Sequence, residues 1–298
     1  MELHFTGRGA MLNPSEGNTA AYFEDNQNFY LIDCGEDVAG KLIEMRKLDQ
    51  DKNYHLFITH THSDHIGSIG TLIQYLYYKK GHRLNIVFGS GMHYTKEIFT
   101  ILQAMGISEE TYNIITIRNL DNTSPLFNKV NYVESNHGAT PLKSCSLAFD
   151  TPQGNVLYTS DIADPRVITD FLSTNFPDTI DKIYVDTSLT TSPVHMSLET
   201  LKRIIPIGLR HKVYCMHINH PDLIEETKKW RFNLVSTSPI TLLKRDINTL
   251  NPDELRTLED MLRIKLSEVE KMKEQNRPKT LQKLINHNIQ KGAYDQSV

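Results

Sequence analysis

His60-Thr61-His62-Ser63-Asp64-His65 brings three imidazoles and one carboxylate into six consecutive residues. These residues directly follow an apolar run, Leu56-Phe57-Ile58, which is typical of a buried strand. Imidazole and carboxylate are the ligands that borderline metals such as zinc prefer. A polar surface turn that is merely rich in histidine is the alternative, and the later part of the chain argues against it. The stretch therefore predicts a metal-binding loop at the end of a strand.

Three further polar residues each follow a predicted strand. His137 comes after the strand at 130–133, Asp161 after 156–159 and His217 after 212–216. Any one of them alone is more typical of a strand-end cap or a surface residue. Together they complete the roughly six or seven nitrogen and oxygen ligands that a hydrolytic two-metal site needs. His220 competes with His217 for the last position, and His217 is favoured because it directly ends its strand.

The composition limits the functional classes. The chain has 298 residues, a net charge of -4 and 39% hydrophobic residues, which suits a globular protein with a sizeable core. Its negative charge argues against binding nucleic acid by broad phosphate neutralisation, although a local basic patch stays open. Three widely spaced cysteines, the lack of a signal-peptide pattern and the lack of a long apolar run predict a cytoplasmic protein without a membrane partner.

The pattern of elements predicts two regions. Alternating strands and helices over 1–237 predict an α/β domain that carries the candidate metal site, and 238–298 reads as a helical extension. In the extension, Leu255, Leu258, Leu262 and Leu266 recur at helical spacing after the acidic start Asn251-Pro252-Asp253-Glu254. Pro278 ends this helix, and a shorter helix is predicted over 280–289. Packing on the parent domain, dimerisation, a lid and a nucleic-acid contact all stay open as roles for the extension.

The ordered set of polar residues resembles the signature of the metallo-β-lactamase fold. The pattern His60-x-His62-x-Asp64-His65 is followed by His137, Asp161 and His217, and Asp33 in Leu31-Ile32-Asp33-Cys34-Gly35 matches the first motif. The resemblance covers about residues 1–235 and implies an αββα sandwich with two divalent metals at one edge. It implies that one metal is held by His60, His62 and His137, that the second is held by Asp64, His65 and His217, and that Asp161 bridges them. Zinc is the expected metal, with manganese as the alternative.

A second pair of motifs indicates phosphodiester chemistry. Val185-Asp186-Thr187-Ser188 and His195-Met196-Ser197-Leu198 resemble elements of the transfer-RNA 3′-processing endonucleases. The resemblance implies that His195 protonates the leaving oxygen and that Asp186 orients His195. Asp64, His195 and Asp186 are thus the catalytic candidates, with a metal-bridged hydroxide as nucleophile. Asp186 departs from the usual glutamate, which shortens its reach. The long substrate-gripping arm of that group is missing, because only 24 positions separate His137 from Asp161.

The compact form, Gly7-Arg8-Gly9 and Gly17-Asn18-Thr19 resemble phage anti-Pycsar proteins and related bacterial phosphodiesterases. This resemblance implies a homodimer that hydrolyses 3′,5′-cyclic mononucleotides to linear nucleotides in the cytoplasm of a bacterial or infected cell. Two alternatives remain. One is an RNase Z-like endonuclease or another RNA or DNA phosphodiesterase, and the other is a sensor that binds a nucleotide without cutting it.

Overall fold

A computed structural model describes residues 1–89, 95–121, 123–137 and 142–275. Within these residues the strands form two six-stranded sheets, each with its strands in sequence order across the sheet. The first sheet contains β1 (His4–Gly7), β2 (Ala20–Glu24), β3 (Asn28–Ile32), β4 (Asn53–Phe57), β5 (Leu84–Phe88) and β6 (Tyr112–Thr116). The second contains β7 (Lys129–Asn136), β8 (Lys143–Thr151), β9 (Gly154–Tyr158), β10 (Ile180–Asp186), β11 (Val213–Met216) and β12 (Asn233–Leu234).

The described residues form nine α-helices. They are α1 (Val38–Glu44), α2 (Ser63–Ile66), α3 (Ile69–Tyr75), α4 (Thr95–Ala104), α5 (Arg166–Thr174), α6 (Leu198–Ile204), α7 (Asp222–Lys229), α8 (Pro239–Leu242) and α9 (Pro252–Gln275). The side chains of α1, α3 and α4 pack on the first sheet, and those of α5, α6 and α7 pack on the second. The two sheets share a third core between them. These four layers confirm the predicted αββα sandwich.

Strand β3 shows why the central strands read as continuous apolar runs. Phe29 and Leu31 point into the core under the helices, while Tyr30 and Ile32 point into the core between the sheets. Successive side chains of a strand face opposite sides, so a strand buried on both faces needs apolar residues at every position. The same burial fixes the register of β3 beside β4, which carries the chain toward His60.

The spacing of Ile69, Leu72, Ile73 and Leu76 predicts one helix over 66–78, but this helix is interrupted in the structure. Helix α2 ends at Ile66 and α3 begins at Ile69, because Ser68 is bound elsewhere. The Ser68 amide donates to Cys34 O over 3.1 Å, and its hydroxyl accepts from the Ala39 amide over 3.0 Å. These tertiary contacts overrule the helical periodicity of the sequence. Helices α5 and α7 and the short strand β12 were not predicted from the sequence.

The chain divides into two compact units, Met1–Arg245 and Asp246–Val298. The predicted boundary after residue 237 lies slightly before this division, and α8 belongs to the first unit. In the second unit, α9 carries exposed apolar side chains at Leu255, Leu262 and Leu266. The predicted helix over 280–289 lies outside the described residues. In the part of the chain that is described, no helix is long and apolar enough to cross a bilayer.

Candidate metal centre

The candidate residues follow strands of both sheets. The His60 loop follows β4 of the first sheet, whereas Asp161, Asp186 and His217 lie at the ends of β9, β10 and β11. Strands β9, β10 and β11 are parallel, so their carboxyl ends meet at one edge. The structure gathers the candidates into three groups, of which the second and third share Asp161 and His217, and the ligand atoms of each group lie within 4.8 Å of one another.

The first group consists of three histidines, His60, His62 and His137. His62 Nδ1 lies 3.2 Å from His60 Nε2 and 3.2 Å from His137 Nε2. Burial lowers the pKa of all three imidazoles, and for fully buried His60 the pKa lies well below its ordinary value. Neutral imidazoles are the form that binds a metal, so this group fits one divalent cation.

The second group combines Asp64, His65, Asp161 and His217. Its centre is Asp161 Oδ2, which lies 3.3 Å from His217 Nε2 and 3.5 Å from His65 Nε2. The same oxygen is 3.9 Å from the Nε2 atoms of both His60 and His137. Asp161 therefore contacts both groups, which is the geometry required of a bridging carboxylate.

The third group places His195 beside the other two. His195 Nδ1 lies 2.9 Å from Asp186 Oδ2, so the aspartate does reach this imidazole despite being shorter than glutamate. The His195 ring centroid is 4.9 Å from that of His217 and 5.6 Å from that of His137. Burial lowers the pKa of His195, but the hydrogen bond and charge of Asp186 outweigh burial and raise it. His195 thus lies beside both groups, and Asp186 favours its protonated form.

His220, the competing candidate, lies apart from these groups. Its side chain is 51% exposed, and its Nδ1 accepts a hydrogen bond from the Asp222 amide over 3.2 Å. His217 instead is buried and lies 3.3 Å from Asp64 Oδ2. The geometry therefore favours His217 as the ligand.

A buried turn after β3 supports the His60 loop. The Asp33 carboxylate accepts hydrogen bonds from the Thr59 amide, the Thr59 hydroxyl and His65 Nδ1, each over 2.8 Å. The bond to Nδ1 leaves His65 Nε2 directed at the second group. Glycine is required at Gly35, because a Cβ there would lie 2.0 Å from Asp64 O. The turn and the loop are therefore packed as one unit.

Two hydroxyls in this support were not identified from the sequence. Thr59 Oγ1 lies 3.2 Å from His60 Nδ1, and Ser160 Oγ donates to Thr59 Oγ1 over 2.7 Å. Ser160 immediately precedes Asp161, so this chain of hydroxyls links the two sheets beneath the metal centre. The only sequence signal was a polar residue at each strand end, which is also typical of an ordinary turn.

Backbone strain is concentrated at the same edge. Asp33, Ser160 and His217 adopt φ values of 63°, 54° and 58°. Non-glycine residues in this left-handed region cost on the order of 1–3 kcal/mol each and persist only where the surroundings fix them. His217 is a candidate ligand, Ser160 precedes the candidate ligand Asp161, and Asp33 supports His65. The strained backbone therefore lies where it can orient side chains toward the centre.

The charges of the centre fit two divalent cations. Asp33, Asp64, Asp161 and Asp186 are all buried, and in the described part of the chain their ion-pair partners are histidines alone. Burial lowers the pKa of His217, but the carboxylates, Asp161 foremost, outweigh burial and raise it to about 10. The carboxylates thus draw positive charge to the second group. In addition, Asp64 Oδ1 and His65 Nε2 are buried without a hydrogen-bond partner among the described residues, as expected of atoms that face a cation.

This architecture defines the chain as a metallo-β-lactamase fold protein. The metallo-β-lactamase fold protein YhfI from Bacillus subtilis matches with a TM-score of 0.59 at 18% identity, covering 79% of this chain and 95% of that one. The short form of human tRNase Z matches with a TM-score of 0.54 at 14% identity, covering 80% of this chain and 96% of that one. At these identities the likeness shows the fold alone.

The particular family follows from sequence comparison. The profile of the family described as "Anti-Pycsar protein Apyc1" matches residues 1–239. The anti-Pycsar protein Apyc1 of Bacillus phage vB_BsuM-Goe3 is 26% identical over 267 residues, which cover 78% of this chain and 95% of the relative. The chain belongs to the anti-Pycsar protein Apyc1 family. Family and site together support a metal-dependent hydrolase.

Proposed function

We propose that this protein is a metal-dependent phosphodiesterase that opens 3′,5′-cyclic mononucleotides to linear nucleoside monophosphates. Membership of the anti-Pycsar family supports this proposal, and it supports a counter-defence role for the protein in an infected cell. Two bound cations, with zinc preferred and manganese as the alternative, would supply Lewis acidity and lower the pKa of a bound water. In the proposed assignment His60, His62 and His137 hold one cation, Asp64, His65 and His217 hold the other, and Asp161 bridges them.

The pairing of His195 with Asp186 is the observation that carries the proposal. Asp186 occupies Nδ1 of His195, and this fixes the imidazole orientation and favours its protonated form. A departing ribose alkoxide needs a proton, and general acid help of this kind contributes about 10²–10⁴-fold. His195 is 20% exposed at its side chain, so it is accessible from the solvent side of the centre. The Asp186 carboxylate also accepts a hydrogen bond from the Ile162 amide over 3.1 Å, and this bond holds the carboxylate in place.

The short connection between His137 and Asp161 supports a small substrate. The connection from His137 to Asp161 is occupied by the β8–β9 hairpin, in which the two strands pair directly from Leu147 to Thr151. Such a short connection leaves no length for an arm that grips a folded RNA. A cyclic mononucleotide needs no such arm, because its single phosphodiester fits on two adjacent cations.

A product assay tests this proposal. The protein, loaded with zinc or manganese, is incubated with a panel of purine and pyrimidine 3′,5′-cyclic nucleotides, and products are separated by chromatography. We expect linear monophosphates from several bases. If every cyclic nucleotide stays intact while bound metal is confirmed, the proposal is wrong. Cleavage of single-stranded RNA or a transfer-RNA precursor by wild type, and not by His62→Ala, would favour the endonuclease alternative.

We further propose that the protein is a homodimer and that α9 contributes to the contact. Residues Leu255, Leu262, Leu266 and Val269 give this helix an apolar stripe with exposed side chains. Such a stripe is stabilised by burial against another apolar surface. Packing of the stripe on its own domain remains the competing arrangement.

A further inference from the structure

The loop between β1 and β2 contacts the backbone directly after His217. The Ile218 amide donates to Arg8 O over 2.7 Å, and Ile218 O accepts from the Ala10 amide over 3.1 Å. The Asn13 side chain reaches the same carbonyl, with 2.8 Å between Nδ2 and O. Three hydrogen bonds between this loop and Ile218 therefore fix the peptide groups on both sides of Ile218, directly after His217, whose own φ is 58°.

A buried ion pair holds this loop closed. Arg8 Nε donates to Glu16 Oε2 over 2.7 Å, and both side chains are buried. The same guanidinium donates from Nη1 to Val235 O over 3.1 Å, and the Val235 amide donates to Cys215 O of β11 over 3.1 Å. Arg8 thus links the loop to the strand that carries His217. A guanidinium suits this role because it presents several donors in a fixed geometry.

The tight path of the loop depends on Gly9. A Cβ at this position would lie 2.6 Å from Asn13 O and 2.8 Å from Gly17 O. The Gly9 amide donates to Gly17 O over 2.7 Å, and Thr19 returns a hydrogen bond to Gly9 O. Gly9 therefore allows the loop to fold tightly, and the folded loop places the Asn13 side chain beside Ile218 O.

We infer that Asn13 and the Arg8–Glu16 pair are positioning residues that hold His217 toward the second cation. The inference rests on the proposed ligand role of His217. The loop supplies no ligand atom to the groups described above, so its effect acts through the peptide of Ile218. Residues that orient a ligand change metal affinity by about 10–100-fold when they are replaced.

Asn13→Asp is the sharpest change. It removes the Nδ2 donor to Ile218 O but keeps Oδ1, which accepts from Ser15 Oγ over 2.8 Å. Asn13 is partly exposed, so the fold tolerates the added charge. Asn13→Ala is made beside it, because it removes the donor without adding charge.

Asn175→Asp is the matched control at the end of α5. Asn175 Nδ2 donates to Phe171 O over 2.8 Å, and its Oδ1 accepts from Asn155 Nδ2 over 2.6 Å. The chemical change is the same, the residue is also partly exposed, and it is not among the groups of the metal centre.

Metal-free proteins are titrated with Zn²⁺ by calorimetry, and their thermal unfolding is recorded without metal. His217→Ala should abolish the binding of one of the two equivalents of Zn²⁺. In both Asn13 variants we expect that equivalent to bind about tenfold more weakly. The other equivalent, and both equivalents in the Asn175→Asp control, should bind with wild-type affinity. Wild-type affinity for both equivalents, or equal weakening of both, would overturn the positioning role. If His217→Ala itself keeps two tight equivalents, the ligand assignment fails instead.

Discussion

The two sheets contribute to the metal centre in opposite ways. The first sheet supplies one loop in which His60, His62, Asp64 and His65 are nearly consecutive. The second sheet supplies single side chains from separate segments, namely His137, Asp161, Asp186 and His217, with His195 from the loop before α6. A contiguous loop specifies its ligands by itself. Scattered ligands depend on parallel strands that end at the same edge.

Support for the two sides differs as well. The first-sheet loop rests on the Asp33 carboxylate, which makes three hydrogen bonds of 2.8 Å to Thr59 and His65. On the second-sheet side, Ser160 and His217 adopt left-handed backbone conformations, and the Arg8–Thr19 region holds the peptide after His217. One side is thus braced by a single buried carboxylate, and the other by a neighbouring loop that contacts its backbone. Substitutions on the two sides should therefore affect activity and metal binding differently.

Asp161→Asn should have the largest effect, because the Asp161 carboxylate lies between the two proposed cation sites, near histidines of both groups. Asp161 Oδ2 lies within 3.9 Å of five histidines. The asparagine side chain would place there a neutral amide, whose single oxygen is a weaker metal ligand than a carboxylate. We expect phosphodiesterase activity to fall by more than about 10³-fold, with both cations weakened. Activity and metal content are measured on the same preparation. Loss of one cation with the other kept at wild-type affinity would contradict the bridging role.

His195→Ala should give the next largest effect and should separate chemistry from metal binding. Removal of the proton donor lowers kcat by about 10²–10⁴-fold, while both cations stay bound. Steady-state kinetics and metal analysis check this result. His220→Ala, at a half-exposed histidine two residues before Asp222, is the control and should behave as wild type. A His195→Ala protein that loses metal would show that His195 is a ligand instead.

Asp33→Asn probes the first-sheet brace and should have a moderate effect. An amide oxygen cannot replace all three hydrogen bonds of the carboxylate, so the cation held by His65 should bind about 10–100-fold more weakly. Titration of the metal-free protein with Zn²⁺ measures this loss of affinity. Asp25→Asn is the matched control, since Asp25 also accepts from two backbone amides and a hydroxyl, those of Gln27, Asn28 and Ser124. Equal metal affinities in the two variants would refute the brace.

The smallest catalytic effect is expected in the second unit. Leu262→Glu and Leu266→Glu place charges on the apolar stripe of α9, where each buried leucine contributes about 1.5–3 kcal/mol to an association. We expect a shift from dimer to monomer in sedimentation velocity, with little change in metal content. Dimers that persist while the melting temperature falls would show that the stripe packs on its own domain.

The difference between the two sides also explains what the sequence could reveal. The His60 loop was identifiable because its ligands lie within one turn after an apolar strand. His137, Asp161 and His217 were identifiable only as a set, since each alone is typical of a strand-end residue. The αββα sandwich was implied by the resemblance of the same ordered set to the metallo-β-lactamase fold, and the structure confirms it.

Contacts between distant segments could not be predicted. Nothing near Thr59 or Ser160 indicates that their hydroxyls meet beneath the centre, because they lie 101 positions apart. Likewise, the break between α2 and α3 depends on the hydrogen bond from the Ser68 amide to Cys34 O, which joins residues 34 positions apart. Periodicity describes a segment by itself, whereas these features depend on partners that the fold supplies.

The central claim is that the two sheets hold two cations in one hydrolytic centre, and anomalous diffraction from crystals grown with zinc tests it most directly. The account predicts two peaks per chain. One should lie among His60, His62 and His137, the other among Asp64, His65 and His217, and Asp161 should contact both. A single peak, or a second peak held by His220, would contradict it.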